Sequence, residues 1–156
     1  MRKLTELTKA TEAEFDFQAL CVLGPDDGPV RLFVSADPKE RLRVSNANCA
    51  LDSVLQAELY GSRGAIERVH KIVSEGAARA GFLRAGKRDW FNMTAPAMLS
   101  AIQRTAQRCS VSFLTREEKA ALIQTEVART LQKLTKRDPM GGGSARPYAK
   151  AAASRR

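Results

Sequence analysis

FDFQALCVLGPDDGPVRLFVS, residues 15–35, decides the fold class. Phe15, Phe17, Ala19, Cys21 and Leu23 occupy one alternating face before the segment turns apolar throughout, which is the pattern of a largely buried strand. PDDGP, residues 25–29, is turn chemistry: proline fixes φ, aspartate bonds nearby backbone, and Gly28 is free to take positive φ. VRLFVS, residues 30–35, then returns as a second strand. A connection this short and polar pairs the two strands antiparallel.

Toward the C-terminus, Asp37 and Pro38 fit a helix start, with Asp accepting orphan amides and Pro tolerated at the first helical position. The spacing predicts a short helix from Pro38 to about Val44. After the polar stretch SNANCALDS comes VLQAELY, residues 54–60, a third strand by its β-branched and aromatic ends. Ser62 is positioned to cap a longer helix, in which Ile66, Val69, His70 and Val73 share one face that packs on the sheet. GAARAGFLRAGKRD, residues 76–89, reads as a basic loop closed by Trp90 and Phe91. Thr94 and Pro96 open another helix carrying Met98, Ile102 and Ala106 on one face. Thr115 and Glu118 form a T-x-x-E capping box for a last helix, whose apolar seam is Ile123, Val127, Leu131 and Leu134.

The expected fold is α+β: a small three-stranded antiparallel sheet flanked by helices, with a C-terminal helical extension. Its expected divisions are a polar N-terminal arm (1–14), a main domain (15–109), a C-terminal amphipathic helix (110–137) and a disordered basic tail (138–156).

The 156 residues are 44% hydrophobic and 28% charged, enough for one packed domain with tails. No apolar run reaches the roughly 18 to 20 residues of a membrane-spanning helix, and the charged opening lacks a secretory core. Cys21, Cys49 and Cys109 are widely spaced with no CxxC pair, which argues for a reduced, cytoplasmic protein and against structural zinc completed by His70. The expected location is cytoplasmic, associated with the nucleoid if the source is bacterial.

The net charge of +9 is uneven: residues 1–36 carry −2, residues 37–100 carry +3, and residues 101–156 carry +8. Such a gradient favours a polyanionic partner, DNA in particular. P-loop, GxGxxG, HExxH and GxSxG motifs are absent, so most standard enzyme classes lose support. His70, the single histidine, falls at the edge of an apolar helix face and reads as a core-edge residue.

The order hairpin, short helix, strand and longer helix, with VRLFVSADPKERL (30–42), AIERVHKI (65–72) and RDWF (88–91), resembles the GIY-YIG nuclease superfamily in its small phage and bacterial type. The likeness covers roughly residues 15–107. It implies a sheet carrying a nuclease site, with Arg41 matching the family's phosphate-stabilising arginine and Glu67 its glutamate for one divalent metal, Mg²⁺. The tyrosine motifs are degenerate. Arg31, Leu32 and Phe33 stand at the YIG position, no tyrosine lies between Phe15 and Leu23, and the two tyrosines are Tyr60 and Tyr148.

The expected function is therefore a DNA-binding protein on a degenerate nuclease-like domain with weak or no catalysis. Arg31, Arg79, Arg84, Lys87, Arg88, Lys133, Lys136 and Arg137 are its candidate phosphate contacts. One alternative is an active Mg²⁺-dependent endonuclease using Arg41 and Glu67. Another is a protein-interaction module using the last helix.

Overall fold

The computed structural model describes residues 1–47, 54–86 and 89–137. The chain divides into two compact units: Glu12–Lys119, which holds the sheet, and a helical unit that joins residues 1–11 to residues from Ala120 onward.

The elements are α1 (Arg2–Phe15), β1 (Phe17–Gly24), β2 (Val30–Ser35), α2 (Pro38–Ala47), β3 (Val54–Ser62), α3 (Arg63–Arg79), β4 (Trp90–Phe91), α4 (Ala95–Arg108) and α5 (Arg116–Arg137). The α+β class holds, but the antiparallel sheet has four strands, in the order β3-β1-β2-β4, where three were expected. The fourth strand is the aromatic pair Trp90 and Phe91, set against Arg31 and Val30. A two-residue strand has no alternation to read. It forms because the outer edge of β2 presents backbone groups that need partners, and Leu32 N–H likewise donates to the Asp89 carbonyl at 3.0 Å.

β1 is central and buried on both faces. Leu20 and Val22 meet Val30, Leu32 and Phe91 from the sheet, Ile66, Val69, Val73 and Ala77 from α3, and Ala95, Met98 and Ile102 from α4. On the opposite face, Ala19, Cys21 and Leu23 pack with Phe33 and Tyr60, joined by Leu42, Leu55 and Leu114. Phe15 belongs to α1 rather than to the strand. Asp16, at φ 48°, ends that helix, a conformation Asp tolerates better than most residues, and the Phe15 and Phe17 rings stack 5.0 Å apart across it.

Three of the four expected helix starts carry a side-chain cap. Asp37 Oδ1 accepts from Glu40 N–H at 3.2 Å, and Thr94 Oγ1 accepts from Ala97 N–H at 3.3 Å. Thr115 and Glu118 close the capping box reciprocally, at 2.8 and 3.1 Å. Ser62 occupies the N-cap of α3 with extended backbone, but its hydroxyl makes no capping bond. Residues 76–79 of the expected basic loop are the last turn of α3. In α5, Ile123 and Val127 are buried, whereas Leu131 and Leu134 of the expected seam are exposed. Among the described residues, no helix is long and apolar enough to cross a membrane. Cys21 is a buried free thiol, Cys109 is free and half-buried, and Cys49 and the tail from residue 138, including Tyr148, lie outside the described residues.

A charged clamp fixes the segment entering α5 to the edge strand β3. Tyr60 and Leu114 exchange backbone bonds of 2.9 and 2.8 Å, Tyr60 Oη donates to Glu58, and Arg116 Nη2 reaches Glu58 Oε2 at 2.6 Å. Lys119 lies 4.6 Å from the Tyr60 ring centroid and pairs with Glu12 at 3.0 Å. Burial works against ionisation of Glu58, but the bonds from Arg116 and Tyr60 outweigh it and hold the carboxyl below its usual range. The Tyr60 phenol is pushed up by burial and by Glu58.

Two stability outcomes are expected. Gly28 sits at φ 74°, and an added Cβ would lie 2.3 Å from the Met93 carbonyl oxygen, whereas a Cβ at helical Gly76 meets nothing. Gly28→Ala should cost about 2 to 4 kcal/mol and Gly76→Ala should add up to about 1 kcal/mol in urea unfolding. Because the Glu58 carboxyl is depressed in the folded state, its contribution is full above the ordinary value near 4.5 and is lost as pH falls through the folded value. Arg116→Ala should therefore cost about 1 to 2 kcal/mol at neutral pH, discounted for the exposure of Arg116, and the gap to the parent should close in acid.

Candidate functional site

The open end of β2 forms the wall of a groove of about 460 Å³, lined by Gln18, Phe33, Val34, Arg41, Arg63, Glu67, His70 and Asp89. Arg41 and Glu67, taken from two different helices on the strength of a resemblance, face this one space. β4 covers only Val30 and Arg31 of the outer edge, so beyond Leu32 that edge is open. Leu32 N–H points outward to Asp89, and strand alternation aims the Val34 N–H the same way, along the groove.

Each side chain is positioned by a local cause. The Asp37 cap starts α2 immediately after β2, which sets Arg41 one turn into the helix; its amide bonds the Asp37 carbonyl at 3.2 Å. The Arg41 guanidinium lies 5.9 Å from the Phe33 ring centroid, and Arg31 lies 5.4 Å from the same ring. Phe33 is only 4% exposed, so the ring is a fixed platform rather than a mobile contact. On α3, Arg63, Glu67 and His70 fall at i, i+4 and i+7, a polar stripe alongside the buried stripe of Ile66, Val69 and Val73. Arg63 also pairs with Asp16 at 3.4 Å. The i+4 ion pair available to Glu67 with Lys71 does not form, and neither Glu67 nor Arg41 has an ion-pair partner among the described residues. A carboxylate and an arginine are thus left available in one groove, at the positive end of α3.

The groove can do two things chemically. Arg41, Arg63, the Gln18 amide and the Val34 N–H are donors suited to the oxygens of a phosphodiester. Glu67 is a hard oxygen ligand, and Mg²⁺ is commonly held by one or two carboxylates with water and substrate phosphate completing its shell. Among the described residues, no group of three or more His, Cys, Asp and Glu side chains is gathered as a metal cage. A cation here would depend on Glu67 and on the ligand it accompanies. His70 lines the same groove and adds ring nitrogens that can donate or accept a hydrogen bond.

The other candidate contacts are dispersed. Arg31 is 23% exposed at its side chain and pairs with Asp89 at 3.5 Å, so it braces the groove wall more than it offers a free charge. Arg79 is exposed and pairs with Glu75 at 3.6 Å; Arg84 is exposed beyond the end of α3. Lys133, Lys136 and Arg137 are exposed on the last turns of α5, in the helical unit. Lys87 and Arg88 lie outside the described residues.

Gln18, Arg63 and His70 were not expected at the site. The signal for the last two was present as the polar stripe through Glu67, with the same period as the apolar one. His70 was assigned to the apolar stripe because it also stands four residues after Ile66. In the structure it is half-buried and turned to the groove.

Neither a protein-family model, nor a curated protein, nor a solved structure matches this chain.

Proposed function

We propose that the chain is a DNA-binding protein built on a degenerate GIY-YIG nuclease-like domain, and that the groove between α2, α3 and the open end of β2 is where it holds a phosphodiester. The observation that carries this reading is the convergence of Arg41 and Glu67, from separate helices, on one groove that also contains Arg63. The positive charge of the chain supports the same partner, since lysines and arginines that displace condensed counterions bind polyanions without regard to sequence.

Weak or absent catalysis follows from the groove's composition. The strand positions that resemble the tyrosine motifs present Gln18 and Phe33 to the groove, and neither side chain is a phenol that could orient water. Phe33 instead lies within cation–π distance of Arg41, beside the position proposed for the phosphate. One feature favours the alternative of an active Mg²⁺-dependent endonuclease. His70 lines the groove with Glu67, so a proton acceptor is present even though the tyrosines are not.

Supercoiled plasmid in Mg²⁺ or EDTA tests both readings on one gel. The expected result is retarded, intact plasmid in either condition, with retardation falling steeply as salt rises. Arg41→Ala should weaken binding by about three- to tenfold, as expected for loss of one charge-assisted phosphate contact. Glu67→Gln should bind at least as well as the parent, because it removes a negative charge beside the phosphate. Nicking that needs Mg²⁺ and is lost in Glu67→Gln would replace the binding reading with the enzymatic one. Absence of any retardation at low salt would refute DNA binding.

A further inference from the structure

A second groove, of about 360 Å³, runs between α3 and α4 and shares no lining residue with the first. Its floor includes small residues, Gly76 of α3 and the C-cap residue Ala80 among them, and its walls carry Ile72, Phe82, Arg104 and Arg108. Ile72 and Phe82 are 44% and 42% exposed, so the groove presents two large apolar side chains to solvent.

Phe82 is held there by the end of α3. Gly81, at φ 86°, takes the left-handed position after the helix; Gly81 N–H donates to Ala78 and Phe82 N–H to Ala77, at 3.1 and 3.0 Å. This is the paired-bond helix ending in which the second residue past the cap lies back against the last turn. Asn92 N–H donates to the Phe82 carbonyl at 2.7 Å, which ties the residue from its other side. The ring is therefore half-exposed on a rigid backbone.

The opposite wall is cationic. Arg104 and Arg108 are exposed, line the groove, and have no ion-pair partner among the described residues; no carboxylate lines the groove. Residues four apart on a helix are separated by about 6 Å along its axis. That rise is close to the separation of successive phosphates on a nucleic-acid strand. Between the two arginines in sequence is Thr105, which also lines the groove; its hydroxyl donates to the Ala101 carbonyl at 2.9 Å and keeps its lone pairs as acceptors.

We infer that the α3–α4 groove is a nucleobase subsite for single-stranded DNA, in which an unpaired base stacks on Phe82 over the small-residue floor while Arg104 and Arg108 hold the flanking phosphates. The inference rests on the DNA-binding reading above and adds the strand class recognised. An aromatic platform beside paired cations is the combination that single-strand binding uses. A partner's amphipathic helix fits less well, because its apolar seam would meet a wall interrupted by Arg104, Thr105 and Arg108.

The test is fluorescence anisotropy on the full chain at low salt, with a labelled oligothymidylate of about 20 nucleotides and a duplex of equal length. The variants are Phe82→Leu, which keeps an apolar contact at the helix end but removes the stacking face, the pair Arg104→Gln with Arg108→Gln, and Arg41→Ala. Phe82→Leu and the double variant should each weaken oligothymidylate binding by about tenfold or more and change duplex binding by less than about twofold. Arg41→Ala should weaken both probes. Thermal unfolding of Phe82→Leu should match the parent, which separates lost stacking from lost fold. Parental oligothymidylate binding by Phe82→Leu and by the double variant would overturn the subsite and leave the DNA-binding reading standing. A parent chain that binds neither probe overturns both. Binding of an acidic amphipathic peptide that the double variant abolishes, with no oligonucleotide bound, would assign the groove to a protein partner instead.

Discussion

Burial of β1 on both faces is the constraint from which the rest of the main unit follows. A strand with Leu20 and Val22 on one side and Ala19, Cys21 and Leu23 on the other cannot leave either face to solvent. Each fully buried Leu or Val contributes about 1.5 to 3 kcal/mol through water exclusion, so both sides must be covered. α3 and α4 cover the first, and Leu42 of α2 with Leu114 cover the second. Strands then fill the hydrogen-bonding directions, β2 and β3 at either side of β1. The consequence for function lies at the outer edge of β2. β4 supplies only two residues, so the edge is satisfied at one end and open at the other, and the helices that flank β2 at that open end bring Arg41 and Glu67 to it.

What was legible in the sequence is what short-range physics determines. The 15–35 hairpin is written in alternation and turn residues, and the starts of α2, α4 and α5 in side chains that bond amides three positions away. Ser62 shows the limit of such signals: the right residue type stands at the right position, yet its hydroxyl makes no capping bond. α1 was underread for a different reason. Its sequence offers few large apolar groups, and its less exposed face, Leu7, Thr8, Thr11 and Phe15, is half threonine, so the helical period is hard to see in hydrophobicity alone. β4 was beyond reach because its existence depends on an unsatisfied edge about 60 residues earlier in the chain.

The candidate site was half legible. Arg41 and Glu67 were identified by their surroundings in sequence, but nothing local brings a residue of α2 opposite one of α3; that is a product of the β2-α2-β3-α3 path around the sheet. Phe33 offers no signal of its own in the sequence; its ring is buried on the α2 side of the sheet, and Arg31 and Arg41 rest within cation–π distance of it.

Helix α3 divides its circumference among three tasks. Ile66, Val69, Val73 and Ala77 are buried on the sheet; Arg63, Glu67 and His70 line the first groove; Ile72 and Gly76 line the second. With about 3.6 residues per turn, three such stripes fit on one helix only if its rotation about its axis is fixed, since a turn of one residue position would bury Glu67 or expose Val69. Gly61 helps fix it. A Cβ there would stand 3.3 Å from Ile66 Cδ1, so the missing side chain lets the helix settle close against β3. Gly61 and Ile66 line neither groove, yet the close approach they allow bears on the stripes of both.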